Sequence, residues 1–293
     1  MVRKQMLKGV FLFTLSASLF SCTEGSSIND DIHIEDVDTV EMAMEVDPFE
    51  SPDLDYHLPS ALQVASIFKK SGMKYTAGVT NSVDNVTSYT TDEQSKLNFG
   101  VYSADLAYCI TNSQANDARK FITSIQTLAE QQGMEAIFQN KDLMERFDQN
   151  LEIQDSIESI IVEIHEHSQE YLEDNEMEHV AAVHYGGAWV EGMYLGFSDY
   201  KNNSDKVGVG MMLAEQMEIL SNIIKGLKDA RNGDLDLAWI IGDLTSVENM
   251  FNDFASVKAF NANPESDELT LTPEEIKMLG DKVTEIRSKI VQK

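Results

Sequence analysis

Apolar residues recur along this chain at helical spacing, with polar residues filling the positions between them. Leu62, Ala65 and Phe68 share one helix face; Ser60, after Pro59, can cap that helix, and Gly72 lies beyond its end near Lys70. Thr91-Asp92-Glu93-Gln94 reads as a second start, from which Leu97, Val101, Ala104 and Tyr108 continue at helical spacing to Asn112. Ala118, Ile122, Ile125 and Ala129 mark a third helix, closed by Gly133. The short connection between these two predicts antiparallel neighbours. One or two short helices are expected between Met134 and Asn150, then a longer one carrying Ile157, Ile160, Ile161, Ile164, Tyr171 and Leu172. Two more amphipathic helices are expected at about 208–230 and 234–257, divided at Asn232-Gly233. After a loop over 261–267, Thr272 is a predicted N-cap with Pro273 at the first helical position and Glu275 three residues on, and Leu271 is placed to staple onto Ile276.

One stretch departs from this one-sided pattern. From Val180 to Phe197 apolar residues cover every face, including Trp189, Val190, Met193 and Leu195, so this helix is expected at the centre of the domain. His184 and Glu191 interrupt a run barely long enough to cross a bilayer, which argues against a membrane span. Gly186, Gly187, Gly192 and Gly196 would let neighbouring helices come close. No sustained period-two alternation is visible, and the chain has no proline between Pro59 and Pro264. The predicted fold is all-α, a single bundle of about 8–9 helices spanning 60–293.

The first 59 residues have another character. Arg3, Lys4 and Lys8 precede an apolar run from Val10 to Phe20, which is shorter than the roughly 20 residues a spanning helix needs; 1–21 reads as a signal peptide. Leu19-Phe20-Ser21-Cys22 resembles the lipobox of bacterial lipoproteins, which implies cleavage before Cys22 and acylation of that residue. Each acyl methylene buried in a membrane contributes about 0.8 kcal/mol, so several chains on Cys22 would anchor the protein firmly. Between Thr23 and Ser60 lie 12 acidic residues, no lysine or arginine, and Pro48, Pro52 and Pro59. Residues 22–59 are therefore expected to form a disordered, self-repelling tether. Thr23-Glu24-Gly25-Ser26 loosely resembles the acidic export signals of surface-displayed lipoproteins.

Charge narrows the list of partners. The formal net charge is −28, and loss of Arg3, Lys4 and Lys8 with the leader takes it to −31. A polyanion without a basic stripe cannot neutralise phosphates, which excludes nucleic acid, and it gains nothing from lying on anionic lipid. The expected membrane link is the acyl group on Cys22. Cys109 would be the only other cysteine, sits among apolar residues and reads as a core thiol.

Candidate chemistry is sparse. Asp105 and Glu191 fall where the pattern predicts burial, and a buried carboxyl needs a partner; Tyr102, Tyr108, Tyr194, Ser103 and His184 are available nearby in sequence. Asp105, Glu191, His184, Tyr102, Tyr108 and Tyr194 could form a structural polar network or line a pocket for a small ligand. His165, His167, His179 and His184 lie close in sequence, and Glu176 and His179 have the Glu-x-x-His spacing of di-iron bundles. A second such pair is missing, and His165 and His167 diverge by about 200° on a helix, so no metal or other cofactor is expected. No nucleophile elbow, phosphate-binding glycine loop or zinc-protease helix is present, and nothing in the sequence supports an enzyme.

Three stretches, Tyr56-His57-Leu58-Pro59-Ser60, Leu97 to Leu106, and Gly187-Ala188-Trp189-Val190-Glu191, resemble a group of helical lipoproteins of the Bacteroidetes. The resemblance spans most of the chain from about Tyr56; it implies an all-helical fold and an outer-membrane location, and supplies no catalytic residue. Thr91 to Gln132 also resembles a tetratricopeptide hairpin, without that repeat's steady period of about 34 residues. The expectation is a lipid-anchored outer-membrane protein that binds an envelope protein or peptide. A small-ligand pocket around Asp105 and Glu191 is the alternative, and a metal-dependent enzyme the more remote one.

Overall fold

The computed structural model describes residues 60–202, 206–263 and 268–292; the expected signal peptide, Cys22 and the expected tether lie outside the described residues. Among them are eleven α-helices and no strand, so the fold is all-α. The first six are α1 (Ala61–Lys70), α2 (Asp92–Thr111), α3 (Ala115–Gln131), α4 (Lys141–Asn150), α5 (Gln154–Asp174) and α6 (Glu178–Asn202). The rest are α7 (Lys206–Glu215), α8 (Leu220–Leu227), α9 (Ala238–Asp253), α10 (Ala255–Ala262) and α11 (Pro273–Ile290).

Reciprocal capping boxes set three of the starts. Ser60, Thr91 and Thr272 each accept the N–H three residues on, while the side chains of Gln63, Gln94 and Glu275 accept the N–H of the cap residue. The helix count exceeds the sequence expectation because both long C-terminal segments are interrupted. Between α7 and α8 the backbone tightens into a 3₁₀ turn over Gln216–Ile219, where the Gln216 carbonyl accepts the Trp189 indole N–H at 3.0 Å. Between α9 and α10, Phe254 adopts an extended conformation and points into the core, and α10 continues through Ala262 into the stretch expected as loop. Ser256, at the start of α10, donates its N–H to Glu275 of α11, so the capping carboxylate of α11 also serves the helix before it.

The centre of the domain is a pair of helices. α2 packs against α1, α3, α5 and α6, and α6 packs against α1, α2, α5, α7, α8 and α11. α2 divides its apolar side chains between two hydrophobic clusters, giving Leu97, Val101 and Tyr108 to one and Phe99, Tyr102 and Leu106 to the other. α6 does the same with Val183 and Trp189 on one side and Val180 and Ala181 on the other. Burial on both sides explains why α6 reads as apolar all round. At their crossing the two backbones touch: a Cβ on Gly100 would lie 1.8 Å from the His184 carbonyl oxygen, and one on Gly187 1.9 Å from that of Leu97. Only glycine fits there. No helix among the described residues is long and apolar enough to cross a membrane.

Candidate functional site

Asp105 of α2 and Glu191 of α6 are both fully buried, and the fold brings them together. Glu191 accepts two hydrogen bonds from Arg287 of α11, from Nε at 2.9 Å and Nη2 at 3.1 Å. That fork engages both carboxylate oxygens, and the guanidinium carbon lies 4.5 Å above the centre of the Tyr194 ring. Asp105 receives less: its Oδ2 accepts the Asn81 N–H at 3.0 Å, and its Oδ1 meets no donor. The two carboxyls lie close enough for each to move the other's titration. A hydrogen bond between two carboxyls needs a proton on one of them, and since both Glu191 oxygens already accept from Arg287, Asp105 is the member better placed to carry it.

Electrostatics favour the same assignment. Two carboxylates and one guanidinium in a buried site would leave an uncompensated negative charge, which is costly in a low-dielectric interior. Burial, and then the neighbouring Glu191, hold the Asp105 carboxyl well above the ordinary aspartate range. Burial also raises Glu191, but the Arg287 guanidinium opposes that rise. A proton on Asp105 would leave the cluster neutral, with Glu191 charged against Arg287.

The surrounding polar side chains fasten the segment between α1 and α2 to the helices. Tyr102 donates to the Ser82 carbonyl at 2.8 Å, with burial raising its phenol pKa. Asn81 donates through its side chain to the Tyr89 hydroxyl, which in turn donates to the Val291 carbonyl beyond α11. Asn98 donates to the Ile290 carbonyl at 2.9 Å. Segment 73–91, α2, α6 and the C-terminal turn of α11 thus meet at one buried polar junction.

His184 and Tyr108 serve other places. His184 Nε2 bonds to Gln132 Oε1 at 2.8 Å while its ring stacks on Phe99 with centres 4.3 Å apart; burial lowers its pKa to about 3, so the ring is neutral. Tyr108 accepts the Thr76 N–H and donates to the Lys74 carbonyl, and burial moves its phenol to about 12. Cys109 is buried, and desolvation pushes its thiol far up, away from the reactive thiolate. Of the histidines weighed as ligands, His165 is held to about 4 by burial and His167 lies beside Glu163 and Glu170. Glu176 occupies a left-handed turn at φ 58° before α6, and His179 follows at the start of that helix. Among the described residues no three His, Cys, Asp or Glu side chains are placed to hold a metal.

Two concavities flank these groups. An apolar cavity of about 30 Å³ lies between α1, α2, α6 and α8, lined by Val64, Phe68, Tyr108, Trp189 and Ile223 among others. That is room for one or two water molecules. An open trough of about 710 Å³ runs along α3 beside the 3₁₀ turn Val83–Ser88, with Val83 and Val86 on one wall and Asn116, Arg119, Lys120 and Thr123 on the other. Neither is lined by Asp105 or Glu191. Compared with protein-family models, curated proteins and solved structures, the chain matches none.

Arg287 is the member of the site that sequence reasoning missed, because a basic residue near a helix C-terminus is explained by the helix dipole alone. The available signal is its register: Arg287 stands four residues after Val283 and three before Ile290, on the face that α11 buries. Asn81, which contributes through its backbone, has no comparable signal.

Proposed function

We propose that this chain is a lipid-anchored protein of the outer membrane that works as a noncatalytic interaction module. The observation that carries the reading is the lack of room beside the buried acids: Glu191 is engaged by Arg287 and Asp105 by the Asn81 N–H, and the apolar cavity between α1, α2, α6 and α8 is about 30 Å³. Pockets for drug-sized ligands are commonly about 300 Å³ or more, so the cavity's size weighs against the interior small-ligand alternative. Recognition then falls to the surface, and the trough beside α3 is the concavity that suits it. Its wall carries Arg119 and Lys120, which are paired with Asp148 and Asp117 at the exposed surface, so a partner carboxylate would have to share or displace those pairs. The occupant we assign is an extended segment of an envelope protein, with an apolar side chain against Val83 and Val86 and a carboxylate toward Arg119 and Lys120. The lipobox-like Leu19-Phe20-Ser21-Cys22 and the likeness to helical lipoproteins support the location.

Photo-crosslinking in the host tests both halves. A crosslinker at Thr123 should give one discrete adduct that Arg119→Glu abolishes, whereas a crosslinker at the exposed Ser246 should give none. Equal yields from the two positions would remove the trough from consideration. Separately, Cys22→Ser should release the protein from washed membranes, and retention would overturn the anchor.

A further inference from the structure

The junction at Asp105 joins four parts of the chain, and its members differ in how firmly they are held. Asp105 faces Glu191 on α6, Arg287 on α11 and the Asn81 N–H in segment 73–91; on its own helix Tyr102 and Cys109 lie close in the field, and Tyr194 and Tyr89 stand near Arg287. Arg287 is the only cation among these groups, and both of its bonds go to Glu191. Asp105 Oδ1 has no other donor, which leaves that oxygen available for a hydrogen shared with the neighbouring Glu191. Without that hydrogen, two carboxylate oxygens would face one another with no donor between them.

We propose that the Asp105–Glu191–Arg287 cluster is a proton-operated lock: the hydrogen on Asp105 clamps α2 to α6 and α11, and its loss loosens this junction. The weak members are identifiable. The C-terminal turn of α11 is held to the junction by Arg287, by Asn98 on the Ile290 carbonyl and by Tyr89 on the Val291 carbonyl at 3.3 Å. Segment 73–91 meets Asp105 through a single backbone N–H, and is otherwise held by the Tyr102 and Tyr108 hydroxyls, by Asp199 on the Lys74 N–H and by Tyr75 on Asp117. A net negative charge in the cluster draws water in, and the opening falls where Arg287 and Tyr194 approach the surface, the Arg287 side chain being 14% exposed. The burial that holds the Asp105 carboxyl above its usual range delays this opening to a correspondingly higher pH.

The test is a pH titration of the full-length chain by NMR, following the Asp105 side-chain carboxyl carbon together with the backbone amides of Asn81, Asn98 and Val291. Asp105 should titrate well above the exposed aspartates, and the three amides should shift with the same midpoint. In Asp105→Asn, where an amide replaces the neutral acid and still donates to Glu191, the amides should hold one position across the same range. Asp105 titrating together with the exposed aspartates would overturn the proposal. So would a high midpoint that leaves the three amides unmoved. Should Asp105→Asn not fold, the wild-type titration alone decides between these outcomes.

Discussion

The two ends of the contact between α2 and α6 are built differently. At Gly100 and Gly187 the helices meet backbone to backbone, with no side chain that can give way. At Asp105 and Glu191 they meet through acids, an arginine and a proton. The first end fixes the distance between the central helices under all conditions, because steric exclusion does not titrate. The second end makes the same contact dependent on protonation. A single interface can thus carry a rigid half and a responsive half, and substitutions at the two should behave differently.

The largest effect is expected at the rigid end. Gly100→Ala places a methyl 1.8 Å from the His184 carbonyl oxygen, and the two helices would have to separate. A loss above about 4 kcal/mol, or no soluble protein, is expected from thermal or chaotrope melting. The control is Gly242→Ala on α9, where a Cβ meets nothing within 4 Å; it should stabilise by up to about 1 kcal/mol. Similar losses at both glycines would erase the distinction.

Next comes Arg287→Met. Removing the guanidinium leaves Glu191 buried beside Asp105 without a cation, and loss of one partner from a buried pair typically costs about 3–5 kcal/mol. Adding Glu191→Gln to that variant should recover a substantial part of the loss, which equilibrium unfolding of the single and double variants can measure. A double variant as unstable as Arg287→Met alone would mean that packing on Tyr194, not charge, is what Arg287 contributes. The smallest expected loss is Thr272→Ala, about 1 kcal/mol, since it removes one side-chain cap from α11 and leaves the crossing untouched.

Legibility in the sequence followed the range of the interaction. The starts of α1, α2 and α11 could be read because a cap residue and the third residue after it sit side by side in the chain. The centrality of α6 could be read from its all-round apolar surface, but that of α2 could not. Asn98 and Asp105 interrupt the buried faces of α2, and partners distant in sequence, among them Ile290, Asn81 and Glu191, make those positions acceptable in the core. The divisions at Gln216 and Phe254 were hidden for the same reason, since Trp189 and Glu275 act on them from other helices. Six residues were expected to share one polar site. Asp105, Glu191 and Tyr194 meet at Arg287, and Tyr102 borders them; His184 and Tyr108 instead bind Gln132 and the backbone of 74–76, because their side chains leave the helices toward different neighbours.

The buried proton can be weighed directly by linkage. A group whose folded pKa is raised gives stability that is complete below its unfolded value and is lost as pH climbs toward the folded one. For Asp105 the loss therefore begins near pH 4, the unfolded aspartate value being about 3.9, and runs upward at about 1.4 kcal/mol per pH unit until the folded group ionises. The deciding measurement is the unfolding free energy of the full-length chain and of Asp105→Asn across pH, taken as a difference so that the shared repulsion of a −28 chain cancels. Wild type should lose stability relative to the variant as pH rises through this window. Parallel curves would mean that no proton is held at Asp105 and that the junction is an ordinary ion-pair network.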